Sequence, residues 1–232
     1  MGTFDLAELG LTPAHRQEAA RLDPTMHLAR VSSQHKDFYQ VITEEGESLA
    51  QVTGKMMHDA ASPADYPAVG DWVLVDRPSD VDGPVIIHHL LARRSCFARR
   101  AAGTSAMLQV VAANVDTIFI CMSLNRDFNL RRLERYLAIA WDSGAVPVVV
   151  LTKADLADDV PVRVAEVRSV APGVEVLATS SLDSEGLDSL LHHLRRGTTI
   201  AFIGSSGVGK STLINRLLGQ DLLAGHPGPA RR

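Results

Sequence analysis

Gly204-Ser205-Ser206-Gly207-Val208-Gly209-Lys210-Ser211 is the stretch of this 232-residue chain that decides its fold. It satisfies G-x-x-x-x-G-K-[S/T] at every specified position. An apolar run at 199–203 precedes it and a helical pattern at 212–218 follows, the strand–loop–helix setting in which the motif works. Glycines let the backbone curl so that its N–H groups point inward. With a helix N-terminus behind them, those donors form a nest for an anion. Lys210 would set a point charge against the β- and γ-phosphates of a nucleotide, and the Ser211 hydroxyl would ligate Mg²⁺. Thr212 opens the helix and completes the expected phosphate site of residues 204–212.

Outward from this loop, strand and helix patterns alternate. The mainly apolar runs at 115–122 and 146–151 read as strands buried on both faces, and 174–178 and 199–203 read as a third and a fourth strand. Helical patterns at 130–141, 162–170 and 187–194 separate them, the first with apolar residues Leu130, Leu133, Leu137 and Trp141. Such alternation predicts an α/β domain with a parallel sheet and helices on both faces. Nearer the N-terminus the texture differs. Short alternating runs at 27–31, 38–43, 48–53, 71–75 and 85–90 are divided by turn signals at Glu45-Gly46, Pro67, Gly70 and Asp82-Gly83-Pro84. Five short strands suit a small β-barrel, of which the OB-fold is the commonest form. The expected organisation is a helical lead-in at 1–25 (Leu6, Leu9 and Leu11, ended by Asp23-Pro24), a barrel at 26–98, a linker at 99–113 and the α/β domain at 114–232.

The composition is that of an ordinary globular protein, 46% hydrophobic and 22% charged, with no apolar run of membrane-spanning length. The N-terminus carries Asp5 and Glu8 and has no basic leader region. Cys96 and Cys121 are too few and too far from other ligands for a zinc site, and read as reduced, buried thiols of a cytoplasmic protein. The neighbouring pairs His88-His89 and His192-His193 lack metal-ligand spacing and read as ordinary strand and helix residues. A net charge of −4 excludes a non-specific nucleic-acid coat. One local basic patch stands out, Arg93, Arg94, Arg99 and Arg100, and it suits either a solvated connection or an RNA contact. Trp72 reads as a core residue rather than a stacking platform.

The run at 146–151 leads directly into Thr152-Lys153-Ala154-Asp155. This resembles the [N/T]-K-x-D element of GTPases. Asp155 would accept hydrogen bonds from guanine N1–H and the exocyclic amine, a donor pair that adenine lacks. Lys153 would lie over the base, and Thr152 would stand where Asn is more usual. The same four residues could simply open a helix. Thr179, Ser180 and Ser181 follow the next strand and resemble the third base-contacting loop, with a helix N-cap as the plainer alternative.

In most GTPases the phosphate loop precedes the base-reading loops, and here it follows them. Motif order therefore implies a circularly permuted P-loop GTPase. An OB-like barrel ahead of such a domain resembles the ribosome small-subunit-dependent GTPase A family. Pro67-Ala68-Val69-Gly70-Asp71-Trp72-Val73, Ala113-Asn114-Val115-Asp116 and Ser123-Leu124-Asn125-Arg126-Asp127-Phe128-Asn129-Leu130 carry the resemblance. It implies binding of GTP and GDP with Mg²⁺ and hydrolysis of GTP in late maturation of the bacterial 30S subunit. It also implies contact with 16S rRNA, no membrane association and a monomer in the cytoplasm.

That family continues beyond the phosphate-loop helix with switch I, switch II and a zinc-binding domain, so the expected α/β domain is truncated after 218. The text Asp183-Ser184-Glu185-Gly186 fits D-x-x-G but reads as a helix start. On this reading the catalytic residue is unassigned and zinc belongs to the segment beyond. Turnover by this chain is expected to be slow, its sheet edge prone to pairing, and a non-hydrolysing guanine-nucleotide and RNA-binding role is the alternative.

Overall fold

The computed structural model describes residues 4–36, 38–100, 108–125, 127–180 and 186–219. The chain divides into two compact units. One comprises the described residues up to Asp116 together with Arg196–Thr199, and the other comprises Thr117–Arg195 and the described residues from Ile200 onward.

In the first unit, helix α1 (Pro13–Leu22) begins with Thr12 as N-cap and Pro13 in the first turn, where its missing N–H removes no helical bond. The stretch before it is not helical. Leu6 sits in a turn and Leu11 just before the helix N-cap, and both pack with Trp72, Leu74 and Leu91, so these apolar residues of the lead-in cover one side of the barrel rather than form a helix face. Trp72 is 1% exposed, a core residue.

Strands β1 (His27–His35), β2 (Phe38–Ile42), β3 (Glu47–Val52), β4 (Trp72–Val75) and β5 (Val85–Leu90) close into a barrel of order β1-β2-β3-β5-β4. Every pair is antiparallel except β3 with β5. Alternate residues point inward: Ala29 and Val31, Tyr39 and Val41, Ala50 and Val52, Val73 and Val75, Val85 and Ile87. A short helix, α2 (Gly54–Asp59), follows β3 and starts on the N-cap Thr53.

Part of the stretch expected to be a linker is a paired strand. Strand β6 (Cys96–Arg100) runs antiparallel to β7 (Leu108–Ala113). Cys96 at its start is half-buried, not fully buried as expected. The hairpin meets the barrel at Gly70, whose φ is +91° and whose Cβ, were there one, would lie 2.2 Å from the Ala113 carbonyl oxygen. Asn114 Nδ2 donates to Gly70 O at 3.1 Å, and Asn114 Oδ1 accepts from Arg94 N at 3.0 Å.

Arg93 is not a surface cation. Its Nε donates to Asp71 Oδ1 at 2.9 Å and its Nη2 to Asp71 Oδ2 at 2.7 Å, while Nη1 and Nη2 cap the carbonyls of Ala64 (2.7 Å) and Tyr66 (2.8 Å). Asp71 is fully buried and also accepts from Ala68 N at 2.7 Å. Burial acts to lower the Arg93 pKa, but its hydrogen bonds and attraction to Asp71 outweigh that and leave the pKa raised. One of the four arginines of the basic patch is thereby committed to the interior. Arg94 pairs with Asp116 at 3.2 Å nearer the surface.

His15 gives this unit a pH response. Its ring is 3% exposed, and Nδ1 accepts from Thr12 N at 3.1 Å while Thr12 Oγ1 accepts from His15 N. Burial first, then the charge of Arg94, holds the His15 pKa below its usual value. A depressed histidine pKa means the unfolded state takes up the proton more readily. Stability is therefore fully present above the unfolded value of about 6.5 and is lost as pH falls below it. Urea unfolding midpoints are expected to fall between pH 7.5 and 5.5. The fall should be smaller in His15→Gln, which keeps a capping-box side chain but does not titrate. An equal fall in both proteins would contradict this role.

The second unit is an α/β layer. Strands β8 (Thr117–Ser123), β9 (Val146–Thr152), β10 (Glu175–Thr179) and β11 (Ile200–Ile203) form a parallel sheet of order β10-β9-β8-β11. Helix α3 (Leu130–Asp142) joins β8 to β9, α4 (Val160–Val170) joins β9 to β10, and α5 (Leu187–Leu191) lies between β10 and β11. The last helix, α6 (Lys210–Leu218), follows β11. Phe119, Cys121, Val148 and Val150 face Leu190 of α5 and Leu213 of α6. By alternation, the other face of β8 and β9 receives α3, whose buried residues are Leu133, Leu137 and Ala140. Trp141, expected on that face, is 52% exposed, because the seam advances through 133, 137 and 140. Among the described residues no helix is long and apolar enough to cross a membrane.

The chain leaves β8 in one direction, toward β9, and returns on its other side as β11. The crevice at the carboxyl ends of β8 and β11 is thus a topological switch point, where open α/β sheets hold their ligands.

Candidate nucleotide-binding site

Residues 204–211 emerge from β11 at this switch point and run into α6. Gly204, Gly207 and Gly209 have φ of +145°, +80° and +97°, so the loop curls through conformations that side chains resist. Gly204 permits the tightest approach, since a Cβ there would lie 2.3 Å from Cys121 O of β8. Val208 is 1% exposed and plugs the loop into the core beside Leu213. Ser206 and Gly207 form the exposed tip, and nothing lies within 4 Å of a Cβ built on Gly207. Lys210 Nζ crosses the loop to the carbonyls of Gly204 (2.8 Å) and Ser205 (2.7 Å). Ser211 is half-buried in the first turn of α6, and Thr212 is exposed beside it. Under the loop, burial pushes the Cys121 thiol up to about 12 against a smaller lowering pull from Lys210, so this cysteine is an inert core residue.

The stretch after β9 lies directly against the loop. Thr152 Oγ1 donates to Val208 O at 2.5 Å, and Lys153 Nζ donates to Gly207 O at 2.8 Å. Lys153 takes the left-handed conformation (φ 59°, ψ 42°) and turns the chain into a single 3₁₀ turn, Ala154–Leu156, with Asp155 exposed on it. Thr152, expected beside a base, is buried with its hydroxyl engaged by the phosphate loop. At the end of β10, Thr179 and Ser180 are buried. Ser181, and residues 183–185 of the D-x-x-G text, lie outside the described residues, as does the C-terminal tail. Gly186 is described and stands as N-cap of α5.

One contact escaped the sequence reading. Arg132 on α3 reaches the loop, where its Nη1 donates to Ser205 Oγ and, at 2.6 Å, to Asp127 Oδ1. Asp127 lies within a stretch noted for its family resemblance and Arg132 two positions beyond it, but nothing in the sequence pairs Arg132 with a serine 73 positions away. Among the described residues no group of three or more His, Cys, Asp or Glu side chains could hold a metal ion.

The sequence profile of the RsgA GTPase family matches residues 90–226. The chain belongs to the RsgA GTPase family. It is 53% identical over 222 residues to the small ribosomal subunit biogenesis GTPase RsgA 2 of Lactiplantibacillus plantarum, covering 96% of this chain and 62% of that protein. It is 47% identical over 199 residues to the small ribosomal subunit biogenesis GTPase RsgA of Opitutus terrae, covering 83% and 54% respectively. The crystal structure of YjeQ from Thermotoga maritima matches with a TM-score of 0.66 at 26% identity, over 83% of this chain and 65% of that one. YloQ, a circularly permuted GTPase, matches in fold with a TM-score of 0.58 at 23% identity, over 82% and 63%. This RsgA-family chain therefore has the circularly permuted GTPase fold behind a five-stranded barrel. It spans less than two thirds of the length of these curated relatives.

Proposed function

We propose that this RsgA-family chain binds GTP and GDP with Mg²⁺ and serves as a GTPase in biogenesis of the small ribosomal subunit. One observation carries the nucleotide reading. The base-reading stretch and the phosphate loop, 54 and 56 positions apart in their two bonded pairs, touch through Lys153–Gly207 and Thr152–Val208. One cleft thereby presents a phosphate cradle on one side and the Asp155 turn on the other.

The residues present fit a nucleotide. Three positive-φ glycines shape the loop, and the N-terminus of α6 follows it directly. In this reading residues 204–209 wrap the phosphates, Lys210 neutralises them, Ser211 contributes its hydroxyl to Mg²⁺ and Thr212 adds a donor at the edge. Mg²⁺ characteristically takes few protein ligands and keeps water and phosphate oxygens, which suits a site with one serine hydroxyl. Asp155 reads the guanine edge, Lys153 lies along the base, and Thr179, Ser180 and Ser181 supply backbone N–H groups for guanine O6. Thr152 acts as a brace between the two halves of the cleft. The RsgA names of the relatives support the small ribosomal subunit as the partner; in this reading 16S rRNA is the surface bound and the cytoplasm the site of action.

The test is phosphate release from GTP by this chain, with and without purified small ribosomal subunits. Turnover that rises with added subunits supports the proposal. GTP binding without release in either condition assigns the chain to nucleotide binding without turnover.

A further inference from the structure

We propose that Arg132, held by Asp127, is a positioning residue of the phosphate loop and acts through Ser205. This rests on the nucleotide-binding reading above. Arg132 lies in the first turn of α3, whose N-cap Asn129 accepts from Arg132 N at 2.9 Å. Helical side chains lean toward the N-terminus, and that lean carries the guanidinium back to the carboxyl end of β8. There a single nitrogen, Nη1, donates to both Asp127 Oδ1 and Ser205 Oγ. Two acceptors on one trigonal nitrogen fix the angle between carboxylate and hydroxyl, and arginine stays charged at any working pH.

The backbone that carries this carboxylate is itself held. Asp127 N donates to Asn125 Oδ1 at 3.1 Å, and Ser123 Oγ donates to the same oxygen at 2.9 Å. Leu124 N donates to Thr152 O at 2.9 Å, tying this turn to the end of β9. A continuous polar bracket thus runs from the end of β8 through Asn125, Asp127 and Arg132 to the loop that follows β11. It crosses the switch point where the nucleotide is proposed to sit.

Ser205 is the point where the bracket meets the binding machinery. Its hydroxyl accepts from Arg132, and its carbonyl accepts from Lys210 Nζ at 2.7 Å. A shift of Ser205 therefore shifts an oxygen that orients Lys210. Asp127 already balances the Arg132 charge, so the arginine contributes position rather than net positive potential. Glycine-rich loops are conformationally free, and holding one in its working shape before the ligand arrives raises affinity by removing the cost of ordering it.

The experiment is a fluorescent-GDP titration with Mg²⁺ on the unmodified chain, Arg132→Ala, Arg132→Lys, Ser205→Ala and the double variant R132A/S205A, with urea unfolding of each as a fold control. Loss of one charge-assisted hydrogen bond at the loop is expected to weaken GDP binding about tenfold in Arg132→Ala and in Ser205→Ala. The double variant should bind no more weakly than either single one, because both remove the same contact. Arg132→Lys should recover most of the loss, since an ammonium can donate to both acceptors. Ser205→Ala removes only an oxygen and keeps the loop packed, so it carries the test even where Arg132→Ala unfolds. Undiminished binding by Ser205→Ala, or additive losses in the double variant, overturns the positioning role while leaving the nucleotide site intact. Absence of GDP binding by the unmodified, folded chain overturns both.

Discussion

Asp155→Asn is expected to lower GDP affinity about a hundredfold or more and to raise affinity for xanthosine diphosphate. The carboxylate is proposed to accept from guanine N1–H and the exocyclic amine. Asn offers one oxygen and turns an amine toward the guanine amine, so one bond is lost and a donor faces a donor. Hydrogen bonds to a charged group contribute about 1.5–3 kcal/mol each, and an unpaired polar group adds a penalty, which together place the loss near 3 kcal/mol or a hundredfold. Xanthine carries a carbonyl in place of that amine and so completes both bonds with Asn. Competition titrations with GDP and XDP read the change directly. Asp155 is exposed at the turn after Lys153, so the substitution should leave the fold unchanged and the effect confined to the base. Unchanged guanine preference would remove Asp155 from the site.

Arg93→Ala is expected to destabilise the barrel unit by about 3–5 kcal/mol, the range seen when one partner of a buried ion pair is removed. The Asp71 carboxylate is fully buried, and without Arg93 it keeps only the Ala68 amide among the contacts described here. The carbonyls of Ala64 and Tyr66 lose their guanidinium donors at the same time. Arg93→Lys retains charge but cannot reproduce the fork, so an intermediate loss is expected. The double variant D71A/R93A should lose less than the sum of the singles, because no buried charge is left without its partner. Urea denaturation measures all of these. A loss under about 1 kcal/mol in Arg93→Ala, the range of an exposed pair, would contradict the buried-pair account.

What the sequence made legible was what depends on local pattern. The phosphate loop could be read because its glycines and Lys210 sit at fixed spacing, and the barrel strands because short runs, most of them alternating, stand between turn residues. The sheet of the second unit was legible because β8 is apolar from Ile118 to Met122 and β9 from Val146 to Leu151, as strands buried on both faces must be. Where partners are distant, the sequence was silent. Arg93 looked like one of a surface cluster because charge alone does not name a partner, and Asp71 lies 22 positions away. The β6–β7 hairpin was obscured for the same reason, its first strand carrying arginines that suggested a connection. The start of α1 was readable from Thr12 and Pro13, but Leu6, Leu9 and Leu11 imitated a helical face and drew the boundary too early. Thr152 could be placed beside the nucleotide from its motif position, and its bond to Val208 emerges only from the fold.

The central claim is that this cleft selects a guanine nucleotide through its phosphate loop and its base-reading turn together. Titration of the chain with fluorescent GDP in Mg²⁺, with displacement by unlabelled GDP and ADP in parallel, tests both halves at once. Displacement by GDP and none by ADP at the same concentrations is the expected result. Equal displacement by ADP, or no binding of the fluorescent nucleotide to the folded chain, would contradict it.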